Sequence, residues 1–78
     1  MSNKLPPLNE CLTKEIRKAM IDADIGYDQI GHATGRAWRY RISNPGRMCQ
    51  DDYTILCDRL HITQVELLTR ANNRRRAQ

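Results

Sequence analysis

With 78 residues the chain has room for one small domain, and domains of this size bury only roughly 60% of their unfolded surface. Leu, Ile, Ala and Met supply most of its apolar content, phenylalanine is absent and Val65 is the only valine, so the composition favours helices over sheets. The net charge of +4 is compatible with an acidic partner, although it says nothing about the fold.

The cysteines and the apolar runs argue against several classes of protein. Cys11, Cys49 and Cys57 are odd in number and lack the spacing of a zinc site, so we expect reduced thiols, with Cys11 and Cys57 in or beside the core. No apolar run is long enough for a membrane span, and residues 1–8 lack the apolar centre of a signal peptide. We therefore expect a cytoplasmic protein.

The first predicted element is an extended arm over residues 1–8, which contains the pair Pro6-Pro7. A first helix is expected to start near Asn9, a good cap residue, and to be broken by Gly26. Its inward positions follow helical spacing: Leu12, Ile16, Ala19, Met20 and Ala23.

Two short helices should follow. The second is expected from Tyr27 to Thr34, with Ile30 and Ala33 inward, and Gly35 would end it in a left-handed turn. The third covers roughly residues 37–43 and stops at a strong turn signal, Asn-Pro-Gly.

The C-terminal half predicts two more helices. The fourth starts around Gln50 or Asp51 and runs to Leu60, with an acidic first turn that suits the helix dipole. The fifth begins with a capping box from Thr63 to Glu66, and the basic tail over residues 71–78 is expected to be flexible. The prediction is an all-α fold, a compact bundle of about five short helices in a single domain over residues 1–78.

The segment from Gly35 to Asn44 holds three arginines and the only tryptophan, with no acidic residue between Asp28 and Asp51. At about 100° per residue, Trp38 and Ile42 share one side of a helix. The opposite side would carry Arg36, Arg39, Tyr40 and Ser43, with Arg41 on a flank. Arginine binds guanine through two parallel hydrogen bonds, and Ser or Tyr reaches phosphates or base edges.

Residues 26–35, Gly-Tyr-Asp-Gln-Ile-Gly-His-Ala-Thr-Gly, resemble the first helix and turn of the lambda-repressor-like (Cro-like) helix-turn-helix family. The family has a small residue in mid-helix, here Gly31, and a turn glycine four positions later, here Gly35. Residues 56–67 resemble its closing helices, so the resemblance spans about residues 9–70. It implies a lambda-repressor-like fold whose recognition helix, about residues 36–44, lies in the major groove.

Two registers of that helix stay open, because Arg36 stands where the family usually has an aliphatic residue and the connection to Pro45 is short. If the helix is aligned with the family position by position, the residues that face DNA are Ala37, Trp38, Arg39 and Ser43. If it is placed by its amphipathic pattern, they are Arg36, Arg39, Tyr40 and Ser43. Arg39 and Ser43 belong to both sets, whereas Trp38 is either buried or in contact with DNA.

The resulting hypothesis is a sequence-specific transcriptional regulator of phage, plasmid or bacterial origin, repressor-like, that binds a double-stranded DNA operator as a homodimer near the nucleoid. The candidate DNA-binding residues are Arg36, Trp38, Arg39, Tyr40, Arg41, Ser43, Asn44 and Arg47. The run Arg74–Arg76 is either a solubilising end or a phosphate-binding arm.

The alternative is a protein-interaction module of the same fold, an antitoxin-like or anti-repressor subunit that binds an acidic protein partner. RNA binding is less favoured, since an aromatic platform for single strands is lacking. An enzyme is least favoured, because the sequence shows no nucleophile–base pair, metal cluster or phosphate-cradling loop. We expect no cofactor, no metal and no small-molecule substrate.

Overall fold

The computed structural model describes residues 7–31 and 36–77, and within them every regular element is helical. The elements are α1 (Leu8–Ala23), α2 (Tyr27–Gly31), α3 (Trp38–Ser43), a 3-10 turn (Pro45–Arg47), α4 (Gln50–Leu60) and α5 (Gln64–Arg76). The prediction of a small all-α bundle is confirmed. Residues 1–6 of the predicted arm lie outside the described residues.

The first helix differs from the prediction at both ends. It begins at Leu8 rather than near Asn9, because the carbonyl of Pro7 accepts from the N–H groups of Glu10 (3.1 Å) and Cys11 (3.3 Å). It ends before Gly26, since Asp24 adopts a left-handed conformation with φ of 56°. That conformation is uncommon for a residue with a Cβ.

The core follows the predicted apolar positions of α1. Leu12, Ile16, Ala19 and Met20 are buried there, and Ala23 is half-buried. The remaining helices each add buried side chains, among them Ile30, Trp38, Ile42, Leu56, Leu60, Leu67 and Ala71. The longest two helices, α1 and α5, share the most extensive packing in the fold. A single core therefore fixes where α3 sits relative to α1.

The thiols divide between core and surface. Cys11 and Cys57 are buried as predicted, while Cys49 is exposed just before α4, and all three are free. Burial raises the pKa of the Cys57 thiol, which keeps it neutral. Cys11 and Cys57 thus act as small apolar core residues.

The last helix starts as predicted and ends later. The hydroxyl of Thr63 accepts from the backbone N–H of Glu66 at 3.0 Å, the cap that the sequence indicated. The chain then stays helical through Arg76, so the expectation of a flexible tail is wrong for the residues up to that point. The reason is tertiary: Ala71 is buried, and Arg74 donates to the carboxylate of Glu15 at 2.6 Å. Gln78 lies outside the described residues.

Candidate functional site

Helix α3 turns two sides to different surroundings. Trp38 and Ile42 are 2% and 0% exposed, whereas Tyr40 is 47% exposed and Arg39 and Ser43 are exposed. The chain therefore adopts the amphipathic register for Arg39, Tyr40 and Ser43, whereas Arg36, which that register also turned toward DNA, precedes the helix and is only half-exposed. Trp38 was a candidate for DNA contact under the position-by-position alignment, and that assignment is wrong because the indole belongs to the core.

A close approach between α2 and α3 explains the small residue at position 31. A Cβ on Gly31 would lie 2.9 Å from Cδ1 of Trp38 and 3.2 Å from the carbonyl oxygen of Arg36. No real Cβ tolerates the first of these distances, so only glycine lets the indole pack there. The predicted turn at Gly35, the inward Ala33 and the last residues of the second helix lie outside the described residues.

Side chains from α1, α2 and the exposed side of α3 contact one another in what we call the Arg17 network, which consists of Arg17, Tyr27, Arg39 and Ser43. The guanidinium of Arg17 on α1 donates to the Tyr27 hydroxyl and to the Ser43 hydroxyl, each at 3.3 Å. The guanidinium carbon of Arg39 lies 4.7 Å from the centre of the Tyr27 ring, a cation–π contact. The network therefore ties α1 and α2 to the exposed side of α3.

Arg39 keeps its charge available. None of the ion pairs among the described residues involves it, and its side chain is exposed. The tyrosine ring restricts where the guanidinium can point without occupying its N–H donors. A cation held in this way loses less conformational entropy when it binds an acceptor.

The other two arginines of the segment have a different environment, the Asp52 cluster, which consists of Asp52, Arg36, Arg41 and Cys49. The carboxylate of Asp52 accepts from Arg36 at 2.6 Å and from Arg41 at 3.2 Å, and its side chain is only 4% exposed. The same carboxylate accepts from the backbone N–H of Cys49 at 3.1 Å and so caps α4. Arg36 and Arg41 keep about a third of their side chains exposed, at 31% and 34%.

Hydrogen bonds and charge lower the pKa of Asp52. Burial alone would raise it, but the Cys49 backbone N–H, the Cys49 thiol and the two guanidinium groups favour the ionised carboxylate and outweigh burial. Asp52 is therefore a charged residue inside the fold, stabilised by donors on every side. The predicted role of Asp51 and Asp52 as an acidic helix start is confirmed, and Asp52 does more than that.

The remaining candidates lie where α3 ends. The side-chain amide of Asn44 donates to the carbonyl of Tyr40 at 2.9 Å, and the Asn44 backbone N–H donates to the same carbonyl at 3.0 Å. Arg47 is exposed on the 3-10 turn and has no ion pair with any described residue. Of the eight candidates, Arg39, Tyr40, Ser43, Asn44 and Arg47 are exposed on or just after α3.

Sequence reasoning missed three residues of this region: Arg17, Tyr27 and Asp52. Arg17 belongs to the polar side of an amphipathic helix, and no local signal separates it from its neighbours Lys14 and Lys18. Asp52 did carry a signal, since Asp51 and Asp52 are the first acidic residues after a long basic stretch. An acidic residue that follows directly after a basic stretch is a natural ion-pair partner for its arginines, and a charged residue is rarely buried unless it is paired.

Comparison with protein-family models, with curated proteins and with solved structures found no match for this chain. Among residues 7–31 and 36–77, no three His, Cys, Asp or Glu side chains lie together as a metal site would need. In the same ranges no helix has the length and apolar character to cross a membrane.

Proposed function

We propose that the chain binds duplex DNA sequence-specifically, with α3 in the major groove, and regulates transcription by occupying an operator. The observation that carries this proposal is the exposed side of α3. It presents Arg39, Tyr40 and Ser43 together, while Trp38 and Ile42 anchor the helix from behind. Such a helix matches a groove about 12 Å wide, whose base edges accept and donate hydrogen bonds.

Arg39 is the residue best suited to read a base. Arginine pairs with the O6 and N7 atoms of guanine, and this is the commonest specific contact in the major groove. Tyr27 already orients the Arg39 guanidinium, which favours recognition over a diffuse phosphate contact. Ser43 and Tyr40 would flank it on the exposed side, at base edges or phosphates.

Phosphate contacts would fix the position of α3 on the duplex. Arg17 on α1, which donates to Ser43, and Arg47 on the 3-10 turn that follows α3 are exposed cations. Such contacts carry no sequence information but supply most of the affinity. The resemblance to the lambda-repressor-like family adds a phage or bacterial origin, a cytoplasmic location and a homodimer on paired half-sites to the proposal.

Selection from a random duplex library tests this function, followed by titration of the enriched site and a random duplex at several salt concentrations. We expect a defined site to be enriched, and a palindromic one would indicate a homodimer. Arg39→Ala should weaken binding to that site by about 1–3 kcal/mol and relax the preference at one base pair. Arg59→Ala, which removes the same charge from an exposed position on α4, is the matched control.

Two outcomes count against the proposal. An equal loss on the enriched and the random duplex would remove the base contact from Arg39. No binding to any duplex at low salt would reject DNA as the partner.

A protein-interaction module of the same fold is the second candidate, and exposed apolar residues on α5 favour it. Val65 is 76% and Leu68 is 45% exposed, and the two lie three residues apart on the same helix. A partner with an acidic surface and an apolar centre would complement α5 and its arginines. Absence of DNA binding at low salt, together with a partner that Val65→Ser and Leu68→Ser variants no longer bind, would favour this function.

A further inference from the structure

The three arginines nearest α3 are not equivalent. Arg36 precedes the helix, Arg41 lies within it, and both converge on one buried carboxylate, Asp52, at 2.6 and 3.2 Å. Arg39 lies between them in sequence, yet it packs on an aromatic ring and has no carboxylate partner among the described residues. Asp52 is therefore paired with two of the three arginines, Arg36 and Arg41, while Arg39 remains exposed and has no such carboxylate partner in the part of the chain that the structure describes.

The consequence for a polyanion follows from electrostatics. An arginine that already donates to a carboxylate gains less from a phosphate, because the pair must be broken or its charge shared. Asp52 offsets one of the two positive charges that flank it, and it holds both guanidinium groups toward the start of α4. Non-specific binding depends on phosphate contacts alone and weakens with each cation withheld, whereas a complex fixed by the base contact of Arg39 depends on those contacts less.

We propose that Asp52 is a positioning residue that sets the specificity of DNA binding, because it withholds Arg36 and Arg41 from phosphates and leaves Arg39 as the presented cation of α3. This inference rests on the proposed function. It assigns to Asp52 a role that a simple helix start does not have. The same carboxylate also links α3 to the start of α4, since it accepts from Arg41 in α3 and from the backbone N–H of Cys49 just before α4.

The test is the Asp52→Asn variant, measured on the enriched site and on a random duplex across a salt series. The amide keeps the shape of the carboxylate but lacks the charge that holds the arginines. We expect tighter binding to the random duplex, a slope of log affinity against log salt that steepens by up to about 2, and a lower ratio of specific to non-specific affinity. A merely structural role would weaken binding to both duplexes.

Asp51→Asn is the matched control. Asp51 is the neighbouring residue in the first turn of α4, it is exposed, and no ion pair among the described residues involves it. The substitution changes the net charge by the same amount without releasing an arginine. We expect its salt slope to match that of the unmodified protein, and an identical response of the two variants would overturn the inference.

Single arginine variants test the same idea if Asp52→Asn does not fold, as judged by circular dichroism. Arg36→Gln and Arg41→Gln each leave the other arginine on Asp52. We expect their salt slopes to stay within about 0.5 of the unmodified protein, whereas Arg47→Gln, which removes a proposed phosphate contact, should reduce the slope by about 1. Equal reductions at all three positions would overturn the withholding role.

Failure of the inference and failure of the proposed function give different results. If the unmodified protein binds no duplex at low salt, the proposed function is wrong. If it binds an enriched site but Asp52→Asn behaves like Asp51→Asn, only the role of Asp52 is wrong.

Discussion

The chain has two arginine-rich regions, residues 36–41 and residues 70–76. In each region a different buried carboxylate forms ion pairs with arginine. In the first, Asp52 holds two arginines that lie 11 and 16 residues away. In the second, Glu15 on α1 holds Arg74, which lies 59 residues away. The first pairing arranges cations around a presented Arg39, whereas the second fastens the last helix to the first.

The difference shows that a basic run has no single meaning. The arginine segment around α3 presents Arg39 on the surface, while Arg74 in the run at the end of α5 connects that helix to α1. What decides between these roles is the distance of each arginine from a carboxylate that the core has made inaccessible to water. Two predictions test this contrast, and a third, with a smaller expected effect, concerns the helix junctions.

The largest expected effect is on the α5 side. Arg74→Ala leaves the Glu15 carboxylate, whose side chain is 8% exposed, without its partner. Removing one partner of a fully buried pair costs about 3–5 kcal/mol, and because Arg74 is 29% exposed we expect a loss of about 2–3 kcal/mol in urea unfolding. Arg76→Ala, an exposed position on the same helix, should change stability by less than about 0.5 kcal/mol. Equal losses for the two would refute the assigned role of Glu15.

The α3 side should show itself in the pH dependence of stability. The pKa of Asp52 in the folded chain lies below its ordinary value of 3.8, so the ionised carboxylate stabilises the fold. That contribution is complete well above pH 3.8 and is lost as the pH falls through the lowered pKa. The gap in unfolding free energy between the unmodified protein and Asp52→Asn should be about 1–3 kcal/mol at pH 7 and shrink in acid. A gap that is the same at pH 7 and at pH 2 would contradict this assignment.

The smallest expected effect concerns the junctions after α1 and after α4. Asp24 ends α1 before α2, and His61 ends α4 before α5, each with a left-handed backbone at φ of 56° and 55°. Glycine adopts this conformation without steric cost, so Asp24→Gly and His61→Gly should each raise the unfolding free energy by about 0.5–1 kcal/mol. Alanine at either position keeps the Cβ and should give no gain, and a gain with alanine would point to a cause other than backbone strain.

Helix periodicity made most of the fold predictable from sequence. The spacing of Trp38 and Ile42 predicted the buried side of α3, and the hydroxyl of Thr63 predicted the start of α5. The predicted helix ends were less accurate, because α1 starts after Pro7 and stops at Asp24 through backbone conformation rather than through a recognised cap or glycine. These ends depend on φ and ψ values that residue type alone leaves open.

The site was only half predictable, and for a physical reason. Sequence reasoning found Arg39, Tyr40 and Ser43 because they share one side of a single helix. It missed Arg17 and Asp52, since their contacts join different helices and depend on how those helices pack. The prediction of a flexible tail was wrong for the same reason, because Glu15, the partner of Arg74, lies on α1.

One hydrogen bond beneath α3 bears on whether this helix can be transplanted. The Thr13 hydroxyl on α1 donates to the carbonyl of Ile42 at 2.7 Å, near the end of a helix of only six residues. Isolated helices shorter than about 12–15 residues are marginal in water, so a synthetic peptide of residues 36–47 should be a random coil. Grafting α3 onto another scaffold would therefore require a donor in place of Thr13 as well as the exposed side chains. A graft would also have to keep the close packing of Trp38 on Gly31 of α2.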